Sequence, residues 1–437
     1  MTNCTPKTLS FSPLGRHQIT GSFSGGSITS DGGLLLLREV DKRLKLSKRL
    51  SKCIVDLRDP AYIEHTIEDM LKQRIYAIAA GYEDVSDHNF LREDLSFQTV
   101  VNRTQALASA PTLSRLENAV TRRDCVTLGK EMVEQFIRNQ KTIPKELTLD
   151  FDPTDYRLHG HQEKRHYHGY YESYCYLPLY VFCGDQLLVS YLRSSNEDGA
   201  LHAGAILKLL VKRFREVWPN VKILFRGDCA FSRKRILHWC ERNHVDYVVG
   251  FAQNKRLLKQ VEALAKTTET AFEMTQEKQR CFTELYYAAE SWNHPRRIIC
   301  KVEHHEKGSN IRFLITNLKE VPQEVYDKLY CPRGDMENQI KQQKLDLFAQ
   351  RVSCSDFIAN QFRVLLSGFA YILLSSLRTH GLSATELATS YCQTIRNKLF
   401  KIGAIVIKNT RRIQYLFSSY CPAQDIFRIA TQRLVSS

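Results

Sequence analysis

Three acidic positions far apart in the chain are of the kind that support metal-assisted phosphoryl chemistry. From Glu146 to Asp152, Leu147, Leu149 and Phe151 alternate with Thr148, Asp150 and Asp152, the pattern of a strand with carboxylates on its polar face. The run Val221 to Phe225, apolar except at Lys222, leads straight into Arg226-Gly227-Asp228, so another carboxylate stands where a buried strand stops. Acids at strand ends matter in α/β sheets because the loops there gather groups distant in sequence. Hard divalent cations take oxygen ligands, and two ions about 3.5–4 Å apart activate one oxygen and stabilise another in phosphodiester chemistry. Two aspartates make half a site. The candidate third acid is Glu337, in Tyr330-Cys331-Pro332-Arg333-Gly334-Asp335-Met336-Glu337. With a helix starting near Gly334, Glu337, Lys341 and Lys344 lie at i, i+4 and i+7 on one face, and Arg333 lies just before it. By spacing alone the same residues also describe a solvated helix with i,i+4 ion pairs. Asp150 and Asp155 are alternatives to Asp152 as the first ligand, and Asp335 reads equally as a helix cap.

The elements that must position these acids follow from periodicity. Residues 1–143 read as a mostly helical region: a Gly/Ser turn cluster from Ser22 to Gly33, a basic amphipathic stretch to Ile54, and helical spacing in Ile63, Ile67, Met70, Leu71 and Ile75. From 144 to 253 the order is strands first (Glu146–Asp152, Tyr167–Tyr171, Cys175–Cys183, Gln186–Leu192). A helix (His202–Trp218), a strand into Asp228, a helix (Arg233–Asn243) and a strand (Val245–Phe251) follow. This is an α/β layer with antiparallel and parallel parts. Residues 254–318 break the rhythm and end in the strand-like Ile311 to Ile315, so a β-rich insertion is expected there. Residues 319–350 carry a helix from about Asp335 to Phe348, and 351–437 read as helical and basic.

The 437 residues include 62 Lys and Arg against 47 Asp and Glu, a formal charge of +15 that suggests a polyanionic partner. With 43% apolar and 25% charged residues, the chain is neither a disordered tail nor a collagen-like fibre. The longest apolar run, Val364 to Leu377, is interrupted by Ser367, Gly368, Ser375 and Ser376 and reads as a buried helix; no membrane span is expected. Met1 to Ser10 lacks the pattern of a signal peptide, and thirteen cysteines without a CxxC pair read as reduced thiols, so a cytoplasmic location is expected. His159, His161, His166 and His168 crowd one segment without the partners a zinc site needs. Leu387 to Gln424 contains no acid but carries Arg396, Lys398, Lys401, Lys408, Arg411 and Arg412, a one-signed stretch suited to lying along a DNA backbone. The alternative is a solvated helix face, and the absence of counter-charges favours the DNA reading.

Tyr330, two residues, Arg333, three residues, Glu337, six residues and Lys344 resembles the Tyr-Arg-Glu-Lys pattern of one branch of the DDE transposases of bacterial insertion sequences. Asp152-Pro153-Thr154 is similar to that branch's first motif and favours Asp152 over Asp150, while Arg226-Gly227-Asp228-Cys229-Ala230-Phe231 is similar to its second. His159-Gly160-His161-Gln162, Asn360-Gln361-Phe362-Arg363, and Lys401-Ile402-Gly403-Ala404 with Arg411-Arg412 resemble the insertion-sequence thirteen-eighty family, and the likeness spans most of the chain. The resemblance implies an RNase H-like catalytic core with a β-rich insertion, flanked by helical N- and C-terminal regions, the N-terminal one DNA-binding. It implies that Asp152, Asp228 and Glu337 ligate two Mg2+ ions, with Mn2+ as substitute, and that Tyr330, Arg333 and Lys344 contact DNA phosphates. The expected activity is transposition by cleavage at transposon ends and strand transfer into target DNA. The expected partners are terminal inverted repeats, target DNA and further copies of the chain, in a homodimer or larger synaptic complex, located in the cytoplasm on the nucleoid. In that branch an aromatic of the insertion stacks a flipped base, which makes Trp292 a candidate; the alternative is a half-buried strand tryptophan. The rival readings are a transposase-derived DNA-binding protein without catalysis, and a metal-dependent nuclease on the same core.

Overall fold

The computed structural model describes residues 8–436, a mixed α/β chain in two compact units. One is the continuous stretch Val120–Gly368; the other combines Met1–Ala119 with Phe369–Ser437.

The unit Val120–Gly368 opens with helix α1 (Arg122–Asn139), where Thr121 and Asp124 satisfy each other's backbone N–H in a capping box. Eight strands then form one sheet: β1 (Glu146–Pro153), β2 (Leu179–Cys183), β3 (Gln186–Tyr191), β4 (Lys222–Gly227), β5 (Asp246–Phe251), β6 (Gln279–Tyr287), β7 (Arg296–His305) and β8 (Gly308–Thr316). Their order across the sheet is β6-β7-β8-β5-β4-β1-β2-β3. Only β1, β4 and β5 run parallel to one another; β2 and β3 return antiparallel through the Gly184-Asp185 turn, and β8, β7 and β6 continue beyond β5 as an antiparallel meander. Helices α2 (Ala203–Val217) and α3 (Lys234–Arg242) make the crossovers that parallel strands require.

Alternation assigns the faces. Leu147, Leu149 and Phe151 of β1, Ile223 and Phe225 of β4, and Tyr247 and Val249 of β5 pack with Phe136 of α1, Leu207 and Phe214 of α2 and Leu237 of α3 in the main core. Each such side chain contributes about 1.5–3 kcal/mol when fully buried. The opposite face carries Leu224, Val248, Ile299 and Leu314, covered by Val325 and Tyr326. On that face β1 presents Thr148, Asp150 and Asp152 instead of hydrocarbon.

Several elements differ from the sequence expectation. The run Cys175–Cys183 is split, because Pro178 lacks the N–H a ladder needs: Ser173–Tyr176 joins a small sheet with Tyr156–Arg157 and His166–His168, and β2 joins the large one. Helix α4 (Lys255–Thr275) occupies the first third of the stretch expected to be β-rich. Its spacing of Leu257, Val261, Leu264 and Thr268 follows a helical period, and β6 to β8 come only afterwards. Helical winding before Glu337 starts at Pro322 and not near Gly334: Val325–Tyr330 is wound as π-helix and Cys331–Arg333 as a 3-10 turn, followed by regular α5 (Gly334–Lys341) and a second π turn to Asp346. Pro332 lies inside this run; it donates no hydrogen bond and crowds the carbonyl four residues back, which accounts for the irregular winding around it.

The unit built from both chain ends contains helices Leu35–Leu44, Leu46–Ser51, Ile67–Ala80, Leu95–Val101, Ala110–Ala119 and Gln424–Val435. Its C-terminal part is not wholly helical: the β-branched run Ala404–Lys408 pairs with Ile413–Phe417 as a hairpin, and Ile28–Thr29 adds a third strand. Gly33 is seated against the turn at Leu399, where a Cβ would lie 1.6 Å from the carbonyl oxygen, so no other residue fits. Helix Phe357–His380 contains the Val364–Leu377 run; it is long and apolar enough to cross a membrane, but 83% of its most apolar window is buried.

Candidate active site

In the parallel pairing of β4 with β1, Gly227 lies beside Phe151, so Asp228 leaves β4 next to Asp152 at the carboxyl ends of the two strands. Asp228 Oδ1 accepts the Ala230 N–H at 2.9 Å, which caps the 3-10 turn Cys229–Phe231 and fixes the carboxylate at the strand end. The helical run from Pro322 brings the third acid to the same place. Arg333 donates from Nη1 to Asp152 Oδ1 at 3.4 Å and from Nη2 to Glu337 Oε1 at 2.9 Å, so one guanidinium bridges β1 and α5.

The charges of these groups act on one another. Burial pushes the Asp152 carboxyl up to about 7; Arg333 opposes this, while Asp228, Glu337 and Asp150 add to it. Burial also raises Asp228, against the pull of the Ala230 N–H and Arg333. Arg333 itself is raised: burial works against its charge, but Asp152, Tyr330, Glu337 and Asp228 together outweigh it. The structure therefore brings Asp152, Asp228, Glu337 and Arg333 together. Tyr330 joins them from the π-helical turn, its ring 6.0 Å from the Arg333 guanidinium and its hydroxyl group buried enough to be raised. Lys344 lies at the edge, with Nζ donating to Asp155 Oδ1 at 2.9 Å and to Thr154 Oγ1 at 3.2 Å, just past β1.

Asp150, the alternative first ligand, is engaged elsewhere. It is 2% exposed and accepts both Nε and Nη2 of Arg226, the latter at 2.7 Å. Arg226 Nη1 donates on to Leu329 O at 2.6 Å and ties β4 to the helical run. Asp335 lies in the first turn of α5 but caps nothing by hydrogen bond.

Among the described residues no three His, Cys, Asp or Glu side chains form a ready-made metal cage, since Arg333 joins two of the acids. The donor set still suits a hard divalent cation: three carboxylates supply only oxygen, and burial first, with the neighbouring acids adding to it, raises Asp152, which a bound cation would relieve.

A family model described as transposase DDE domain, group 1, matches residues 11–437. The chain belongs to this family. Among solved structures, the chain is similar to the cryo-EM structure of a piggyBac transposase synaptic complex with hairpin DNA, at 13% identity and a TM-score of 0.37, covering 91% of this chain and 92% of that one. No curated protein matches the chain.

Within this DDE-domain chain, sequence reasoning missed Gly250, on β5. A Cβ there would lie 2.8 Å from Cys229 N and 3.0 Å from the Tyr330 hydroxyl, so the absent side chain lets β5 pass beneath the Asp228 turn and Tyr330. A glycine near the end of a strand pattern was the available signal. It also missed the Asp150–Arg226 and Asp155–Lys344 pairs, which depend on register and on a contact between positions 189 apart. His159, His161 and His166 are exposed, and the segment is held instead by Gln162, which accepts the Gly160 N–H and donates to Val352 O. Trp292 is half-buried against Phe251 and Tyr287, with Arg296 over its ring. The described cysteines are free thiols.

Proposed function

We propose that this chain is the DNA transposase of a bacterial insertion sequence, of the Tyr-Arg-Glu-Lys branch and nearest the insertion-sequence thirteen-eighty family, working by cut-and-paste. The observation that carries the reading is the meeting of Asp152, Asp228 and Glu337 around Arg333 at the carboxyl ends of β1 and β4. The order β3-β2-β1-β4-β5, with only the last three parallel, supports an RNase H-like core. The engagement of Asp150 by Arg226 supports Asp152 as the first ligand.

In this reading Asp152, Asp228 and Glu337 hold two Mg2+ ions, replaceable by Mn2+. Bound divalent cations supply Lewis-acid activation of the attacking oxygen and neutralise charge on the leaving one. Arg333, poised between two carboxylates, and Lys344, at the rim, present cations to the scissile phosphate and its neighbour and stabilise charge developing there. Tyr330 orients Arg333 and closes the apolar side of the site. The substrates are the element's terminal inverted repeats and target DNA, and the working form is a homodimer or larger synaptic complex in the cytoplasm. The helical region 1–143 is assigned to DNA binding.

The test is a product assay on a plasmid carrying the DNA that flanks the gene, in Mg2+ and in Ca2+. Joined donor–target DNA in Mg2+ is the expected product, with binding but no cleavage in Ca2+; nicks alone would mark a nuclease. Glu337→Gln is expected to abolish cleavage and leave binding intact, and wild-type cleavage by that variant would remove Glu337 from the site.

A further inference from the structure

The acid-free stretch Leu387 to Gln424 carries six cations, and the fold engages four of them. Arg396 is buried, with Nε donating to Ala79 O at 2.9 Å. Lys398 pairs with Glu386 at 3.3 Å, Lys401 with Asp31 at 2.7 Å, and Lys408 Nζ donates to Thr104 O at 2.6 Å. The remaining two, Arg411 and Arg412, are exposed, and among the described residues their side chains have no acidic or hydrogen-bonding partner. They sit side by side at the turn of the hairpin Ala404–Lys408/Ile413–Phe417.

That turn is built to hold them out. Asn409 Oδ1 accepts the backbone N–H of Arg411 at 3.1 Å and of Arg412 at 2.9 Å, and the Asn409 N–H donates to Arg412 O at 2.9 Å. The N–H groups of Asn409, Arg411 and Arg412 are thus satisfied within the turn, and both guanidinium groups are left for an external acceptor. One ribbon face, with Ala404 and Val406, packs inward; the other presents Ile405, Ile407 and Leu416 to solvent beside the arginines. Toward its tip, past the segment paired with Ile28–Thr29, the hairpin is two-stranded, and a two-stranded ribbon fits the DNA major groove, about 12 Å wide, where guanidinium groups pair with phosphates or guanine edges and aliphatic side chains contact thymine methyls.

From this geometry we infer that the Lys408–Ile413 turn is a DNA-binding tip, inserted into the major groove of duplex DNA and carrying Arg411 and Arg412 as its contacts. The inference rests on the proposal that the chain acts on DNA and names the element that grips it. The residues lie outside the carboxylate site, so binding is separable from cleavage.

The test uses the full chain and a fluorescein-labelled mixed-sequence duplex, with binding followed by anisotropy in Ca2+ from about 50 to 200 mM KCl. Arg411→Ala/Arg412→Ala is expected to bind at least about tenfold more weakly at the upper salt level and to lower the slope of log K against log salt by about two. The melting temperature should be unchanged, since neither side chain makes an internal contact. Arg411→Lys/Arg412→Lys, which keeps the charge, should recover most of the slope. If wild type binds and the double alanine variant matches it in affinity and slope, the tip is not a DNA contact. If wild type does not bind the duplex at all, the underlying DNA reading fails instead.

Discussion

At Asp152 a carboxyl sits between the apolar sheet interior and two further acids, and its proton is held up to about 7 against an ordinary 3.8. For an acid raised by folding, the unfolded chain releases its proton first as pH rises. The contribution to stability is therefore neutral below about pH 4, becomes a growing penalty from about 4 to 7, and is full above 7. At 1.36 kcal/mol per unit the penalty is on the order of 4 kcal/mol. In EDTA, Asp152→Asn is expected to melt above wild type at pH 8, and the gap should close toward pH 4; a gap independent of pH would contradict the assignment. Adding Mn2+ should raise the melting temperature of wild type and not of Asp152→Asn. Asp150 differs in its partner: burial raises its carboxyl too, but the Arg226 guanidinium opposes this with two hydrogen bonds inside the sheet. Asp150→Ala leaves the Arg226 guanidinium buried without its carboxylate and is expected to cost about 3–5 kcal/mol in urea unfolding. In sequence these two aspartates are alike, two positions apart on one face. Beyond the Asp152-Pro153-Thr154 motif, which favours Asp152, the register that sets Arg226 beside Asp150 shows which of the two is engaged inside the sheet.

The elements carrying the acids were legible where one physical rule dominated. Alternation in β1, the apolar stretch Ile223–Phe225 of β4 and the helical period of α2 each have a single reading, and all three form as the pattern requires. Where two rules competed, the reading failed. Pro178 cuts an otherwise continuous apolar run, α4 lies in a stretch that ends in strand-like sequence, and the Ala404–Lys408 strand lies in basic surroundings with a helical look. The winding of Val325–Tyr330 as π-helix follows from packing around Pro332 and leaves no periodic trace. Gly250 belongs to this scale, as the point where β5, the Asp228 turn and Tyr330 approach one another. Gly250→Ala is expected to destabilise the protein by about 1–3 kcal/mol, because the Cys229 N and the Tyr330 hydroxyl, 2.8 and 3.0 Å from the new Cβ, must yield. It should also slow DNA cleavage more than it weakens DNA binding. Urea unfolding beside an end-cleavage assay measures both.

For the whole molecule, the division into units follows the chain in an unexpected way. Val120–Gly368 is one continuous stretch, whereas the other unit draws on both ends. Within that unit Arg396 donates to Ala79 O, 317 positions away, Lys401 pairs with Asp31, Ile28–Thr29 lines up with Ala404–Ile405, and Gly33 sits against Leu399. Removing residues from Arg396 onward is therefore expected to expose the N-terminal helices, which limited proteolysis would show as cleavage before residue 119. A truncated chain as resistant as wild type would contradict this.

By itself the sequence determined the alternation of β1, the acids at two strand ends, the i,i+4 relation of Arg333 to Glu337 and the excess of positive charge, because each is a local property of spacing or composition. The tertiary structure decided which aspartate pairs with Arg226 and which stands beside Asp228 and Arg333, which cations are unpaired, and that Gly250 must lack a side chain. Those outcomes depend on which distant segments become neighbours, and strand register and helix packing fix that only when the chain has folded.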